Sequence, residues 1–138
     1  MEYLWKFILC FLASVFFAVV FHSPARSVPV SALIGSLSFL VYLLLGENLW
    51  SYFFAALVIA LLGEAAARVM KMPATIFISS AVVPIVPGTG LYQTMLYLVE
   101  GSYQSALQIG AFSLLAMGSI AMAFATGSLL FRATLRRK

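Results

Sequence analysis

The residues best placed to do chemistry form a seven-residue run, Pro84-Ile85-Val86-Pro87-Gly88-Thr89-Gly90. It lies at the centre of an apolar stretch, Ala74 to Val99, that holds no charged side chain. The chemistry is recognition of a small polar solute by exposed backbone. Proline has no N–H, and its ring collides with the carbonyl four residues back. Pro84 therefore frees the carbonyl of Ser80, and Pro87 that of Val83. The spacing predicts a half-helix ending near Val83, an unwound stretch, and a second half-helix from Gly88 or Thr89. The two glycines open φ values closed to other residues, and Thr89 is the expected cap of the second start.

The beginning of that second half-helix offers free N–H groups and partial positive charge to a carboxylate. The freed carbonyls suit a cation, an ammonium group or a hydroxyl. Ser79, Ser80, Thr89, Tyr92, Gln93 and Thr94 add side-chain donors and acceptors to an otherwise apolar run. The expected substrate-binding set is Ser80, Val83, Pro84, Pro87, Gly88, Thr89 and Tyr92. The competing reading is a proline kink that only shapes a helix bundle.

Glu64 is the one acid set inside an apolar run away from its ends, and Arg68 follows four residues later. That spacing puts both on one helix face, with the acid first, the more favourable order. One reading is an interfacial ion pair. The other is a gate or a site that carries a coupling proton, because acids inside membrane segments are functional candidates by default.

Nothing else in the sequence assembles a reaction centre. No residues form a nucleophile–base set, a phosphate-binding loop or a metal-ligand cluster. The single cysteine, Cys10, lies in an apolar run and reads as a small core residue. The single histidine, His22, falls at the end of a run beside Ser23-Pro24 and reads as interfacial. The sequence thus predicts no catalytic residue, no metal and no cofactor, and it argues against an enzyme.

The elements that must position these residues follow from composition. Of 138 residues 64% are hydrophobic and 9% charged. A soluble domain of this size would need an apolar surface, so the chain reads as an all-α integral membrane protein. Its net charge is +4. The charges lie between apolar runs, which points to membrane topology and anionic headgroups rather than to nucleic acid. Five runs are long enough to span a bilayer: Tyr3 to Phe21, Val28 to Leu45, Leu49 to Ala67, Ala74 to Val99, and Tyr103 to Phe131. They predict five transmembrane helices in a single domain, the fourth broken at mid-membrane by the Pro-x-x-Pro-Gly sequence. The first run, which holds Glu2 beside Lys6, reads as a membrane helix rather than a signal peptide. The short links Gly46-Glu47-Asn48 and Glu100-Gly101-Ser102 make consecutive helices antiparallel neighbours. Ala56, Ala60 and Glu64 form one small-residue stripe and Ser119, Ala123 and Gly127 another, as close helix packing requires.

Orientation follows from the basic residues. Lys6 alone belongs to one face. Arg26, Arg68, Lys71, Arg132, Arg136, Arg137 and Lys138 belong to the other. The basic face is expected in the cytoplasm, so the N-terminus lies outside and the C-terminus inside. An odd number of spans is small for a complete transporter. Several transporter folds pair two repeats of opposite orientation around one site, and no internal repeat occurs in this chain. A second half would be another copy or another protein.

Gly63-Glu64, Arg68, Pro73, Phe77, the run Val83-Pro84-Ile85-Val86-Pro87-Gly88, and Tyr92 together resemble the threonine/serine exporter family. The likeness is to its C-terminal five-helix half, which occurs in many bacteria as a separate small protein. The resemblance implies export of small hydrophilic metabolites across the bacterial inner membrane. It implies a larger membrane partner that resembles the N-terminal half of the fused exporters, and it carries the family motif onto Glu64, Arg68, Pro84, Pro87, Gly88 and Tyr92. Threonine and serine are the namesake substrates, and a related two-subunit system is linked to succinate. A dicarboxylate needs a second positive site, which this chain lacks at mid-depth, so an amino acid is favoured. A non-transporting scaffold for a partner and a homo-oligomer are the remaining readings. The topology has a direct test: a reporter fused after Lys138 is expected to read as cytoplasmic, and an external reading would overturn it.

Overall fold

The five apolar runs give six helices. The computed structural model describes residues 1–135. Arg136, Arg137 and Lys138, three of the basic residues behind the orientation argument, lie outside the described residues. The helices are α1 (Glu2–Val20), α2 (Val28–Leu44), α3 (Leu49–Met70), α4 (Ala74–Ala81), α5 (Gly88–Val99) and α6 (Tyr103–Leu135), and the described residues contain no strand. By length and composition α1, α3 and α6 suffice to cross a membrane. At 17 residues α2 is shorter. The fourth run is divided between α4, with 8 residues, and α5, with 12.

Local chemistry sets the ends. Pro29 sits in the first turn of α2, where an N–H has no helical partner to lose. Gly46 (φ 84°) and Glu47 (φ 58°) turn the chain back between α2 and α3. The amide of Asn48 then donates to Ser51 Oγ at 3.0 Å and starts α3. Lys71 ends α3 in the left-handed region (φ 55°), with the Met72 amide reaching the Ala67 carbonyl at 2.9 Å. Pro73 follows and prevents continuation.

The hairpin of α2 and α3 is the centre of the molecule. One side of it receives α4, which packs against α1, α2 and α3. The other receives α6, which runs along α3, and α5 packs against α6 alone. The interior is built of small residues. Ala55, Ala56, Ala60, Ala116 and Ala123 are fully buried, and so are Ser36, Ser38, Ser51 and Ser80. Small side chains let helix backbones approach closely, which is how helices associate where lipid competes equally for apolar surface. A Cβ on Gly127 of α6 would stand 2.5 Å from Ala60 Cβ on α3, and one on Gly35 of α2 would stand 2.6 Å from Ser14 Oγ and 3.1 Å from the Ala81 carbonyl. Glycine is therefore required at both crossings. Ser38 Oγ donates to the Ala55 carbonyl at 2.6 Å and ties α2 to α3 directly.

Large apolar side chains cover the outside. Trp50 is 74% exposed, Leu107 74% and Val99 87%. In water each would be unfavourable by about 25 cal/mol per Å² of apolar surface. Against hydrocarbon that cost vanishes, as a membrane protein requires.

Candidate substrate site at the interrupted helix

Backbone pairing stops where the prolines fall. The Val82 amide still reaches the Ile78 carbonyl at 3.0 Å, and the amides of Ile85 and Val86 both turn back to the Val82 carbonyl. Pro87 (φ −74°, ψ 59°) then makes an inverse γ-turn, closed by the Gly88 amide on the Val86 carbonyl at 2.7 Å. Regular bonding resumes with the Leu91 amide on the Pro87 carbonyl. Between these points the amides of Val83, Thr89 and Gly90 and the carbonyls of Ser80, Ala81, Val83, Pro84 and Ile85 take part in no hydrogen bond. The first helix ends at Ala81, two residues before the expected Val83.

Two expectations for this segment are corrected. Thr89 does not cap α5: it lies at the second helical position behind Pro87, and α5 has no side-chain cap. Neither Gly88 nor Gly90 takes a positive φ. The turn is made by Pro87, whose ring already fixes φ near the required value, so no left-handed residue is needed.

A cavity of about 430 Å³ lies beside the break. The segment from Pro84 to Thr89 forms one wall, and Phe39 and Tyr42 of α2 with Tyr52 of α3 form the other. Tyr42 OH donates to Tyr52 OH at 3.1 Å. Tyr42 lies within one turn of the end of α2, and Tyr52 within one turn of the start of α3, so the cavity sits toward the Gly46–Asn48 end of the hairpin. Grooves elsewhere, such as that between α2 and α3 lined by Val41, Leu44, Phe54 and Leu61, have walls almost wholly of carbon.

The residues singled out in the sequence fall into separate places. Pro84, Pro87, Gly88 and Thr89 line the cavity. Ser80 does not line it; its hydroxyl is fully buried and bonds to the Ile76 carbonyl one turn back, at 3.4 Å. Val83 is part of the break without lining the cavity. Tyr92 is 69% exposed and does not line the cavity. Glu64 and Arg68 lie on the far part of α3. Twelve residues separate Glu64 from Tyr52, about 18 Å at the helical rise. These two do not pair with each other. Ser128 Oγ of α6 donates to Glu64 Oε1 at 3.5 Å, and the Arg68 guanidinium stands 5.0 Å from the centre of the Phe131 ring. Helix α6 runs beside this part of α3 and supplies each with a partner, a hydroxyl for the acid and an aromatic face for the cation. Among the described residues the ion pair formed is Glu2–Lys6, at 2.8 Å.

Sequence spacing did not find Phe39, Tyr42 and Tyr52. Their only signal was that two tyrosines flank one short link at nearly equal distances, Tyr42 before Gly46 and Tyr52 after Asn48. In an antiparallel hairpin such positions face each other.

An apolar all-helical chain, with one helix interrupted beside a cavity that holds hydroxyls and unpaired backbone groups, has the build of membrane transporters with broken helices. Comparison with known families narrows this. Residues 6–130 match the family described as threonine/serine exporter, ThrE, and the chain belongs to that family. No solved structure matches the chain.

The cavity gives a clean test at Gly88. A Cβ there would meet nothing within 4 Å, and φ is ordinary, so Gly88→Ala should leave thermal stability unchanged. A methyl group placed in the cavity wall should lower solute affinity about three- to tenfold, read from the concentration dependence of efflux. A variant with unchanged affinity would remove this wall from the binding site.

Proposed function

We propose that this chain is one subunit of a bacterial inner-membrane exporter that moves threonine and serine with a second membrane subunit. The observation that carries the reading is the break between Ala81 and Gly88, where unpaired amides and carbonyls adjoin a 430 Å³ cavity in a chain of the threonine/serine exporter family. The membrane arrangement is five crossings, with α4, the break and α5 together making the fourth. The N-terminus is outside and the C-terminus cytoplasmic. In this orientation the cavity lies in the outer half of the bilayer.

The chemistry of a zwitterion suits the site. Its carboxylate is held at the start of α5, where the Thr89 and Gly90 amides are unpaired. Its ammonium group takes the freed carbonyls of the break, in the manner of broken helices in other transporters. Val83, Pro84, Pro87, Gly88 and Thr89 form this centre. Ser80 supports it through its freed carbonyl, and Tyr92 faces the partner subunit. Glu64, held by Ser128 about 18 Å along α3, serves as gate or proton carrier at the cytoplasmic side, with Arg68 beside it.

The partner is a protein resembling the N-terminal half of fused exporters. Support comes from α5, which has no buried residue and a single helical neighbour. Its Tyr92 and Gln93 are exposed, and polar side chains at such a depth face protein or water rather than lipid. Succinate export remains the second reading of substrate, with the partner supplying the second positive site.

Cells preloaded with labelled threonine or labelled succinate distinguish the readings. Efflux of threonine only when both subunits are produced is expected. Equal efflux from the partner alone would reduce this chain to a scaffold, and efflux of succinate alone would change the substrate. Glu64→Gln is expected to slow threonine efflux at least tenfold and to flatten its dependence on external pH. Unchanged efflux with an unchanged pH profile would exclude the role given to Glu64.

A further inference from the structure

We infer that Tyr42 and Tyr52 select a hydroxylated substrate, their paired hydroxyls reading the substrate's own hydroxyl group. The inference rests on the cavity being the substrate site. Tyr42 OH donates to Tyr52 OH at 3.1 Å. A pair of hydroxyls shares one proton and keeps the other, whichever way the shared bond runs. Among the described residues neither oxygen has a further partner. Tyr52 is 7% exposed. Facing the cavity, the pair offers its unused proton and lone pairs to whatever fills that space, water or a ligand.

The remaining cavity walls sharpen the argument. Phe39 and the two prolines present carbon, and the start of α5 and the freed carbonyls suit the two charged groups common to every amino acid. The tyrosine pair is then the one side-chain feature of α2 and α3 that can tell one amino acid from another. A substrate hydroxyl both donates and accepts, so it closes the pair into a chain of three. A methyl group in the same position leaves the buried proton unmet, and sites built this way discriminate strongly against the analogue that lacks the hydroxyl.

The pair is also held in place, as selection requires. The two rings lie 4.7 Å apart, centre to centre, and Tyr52 meets the edge of Phe112 of α6 at 6.4 Å. The bond from Ser38 Oγ to the Ala55 carbonyl, one turn along the same two helices, fixes their register. A purely structural tie between α2 and α3 makes a different prediction: loss of either hydroxyl would lower stability and leave discrimination alone.

Threonine and valine have nearly the same shape and differ by hydroxyl against methyl, so they are the probes. Inside-out vesicles containing the full chain and its partner subunit are assayed for uptake of labelled threonine, with unlabelled threonine or valine as competitor. Wild-type protein is expected to prefer threonine by tenfold or more. Tyr42→Phe and Tyr52→Phe keep the rings, and each is expected to reduce that preference about tenfold while valine competes as before. A preference unchanged in both variants, with threonine still transported, overturns the inference and leaves the proposed function standing. Failure of wild-type vesicles to take up threonine overturns the proposed function and this inference with it. Should Tyr52→Phe fail to fold, the half-buried Tyr42→Phe reads the same ratio.

Discussion

Two residues without an amide proton, three positions apart in an apolar run, govern the rest of this structure. A helix surrounded by hydrocarbon must satisfy every backbone group within itself. Pro84 and Pro87 make that unattainable between Ser80 and Gly90, where eight backbone groups are left unpaired. Such a segment persists only against protein or a water-filled space, so the surrounding helices must provide one. The α2–α3 hairpin does so by placing aromatic rings, two of them carrying hydroxyls, opposite the break. The short α4 is held by three helices, with Gly35 giving its last carbonyl room.

The hairpin performs this task because its interface is polar where it must be exact in register and otherwise rich in small residues, with Ile34 and Ile59 among its larger buried side chains. Ser38 bonds across to the Ala55 carbonyl, and Tyr42 meets Tyr52 one turn further on. Hydrogen bonds between helices of membrane proteins contribute only about 0.6 kcal/mol on average. Their value here is registration: sliding one helix by a single turn would separate both pairs together. Alanine and glycine around them add close contact without direction.

Much of this was legible in the sequence because it depends on local chemistry. The apolar runs, the Pro-x-x-Pro-Gly sequence and the motif from Gly63 to Tyr92 were sufficient to reach the family, and a helix that breaks at the prolines and restarts at Gly88 follows from where N–H groups are missing, although its first half ends at Ala81 rather than near Val83. What escaped depends on which side chains meet across helices. Tyr42 and Tyr52 stand at helix ends, where tyrosine is ordinary in a membrane protein, and no periodicity marks two such residues as partners. Glu64 and Arg68 have the spacing of an ion pair, yet each is taken by a side chain of α6 more than sixty residues away in sequence. Thr89 has the right chemistry for a cap but stands two positions too late, because Pro87 makes the turn first.

The unequal packing of the two half-helices carries a mechanical consequence. Helix α4 is clamped by α1, α2 and α3, whereas α5 leans only on α6. The halves of one interrupted span thus have unequal support: α4 is held directly by three helices, and α5 is tied to the core only through α6, which itself lies along α3. Helix α6 is long: its 33 residues reach about 50 Å, well beyond the roughly 30 Å of a bilayer's hydrocarbon core. Between the halves, residues 82–87 keep only a few turn-like bonds, those of the Val82 amide to Ile78, of the Ile85 and Val86 amides to Val82, and of the Gly88 amide to Val86, so this segment is less braced than either helix. Helix α6 thus packs against α5 near the break and, through Ser128 and Phe131, meets Glu64 and Arg68, so one continuous helix spans the distance between the tyrosine-walled chamber and the distant acid.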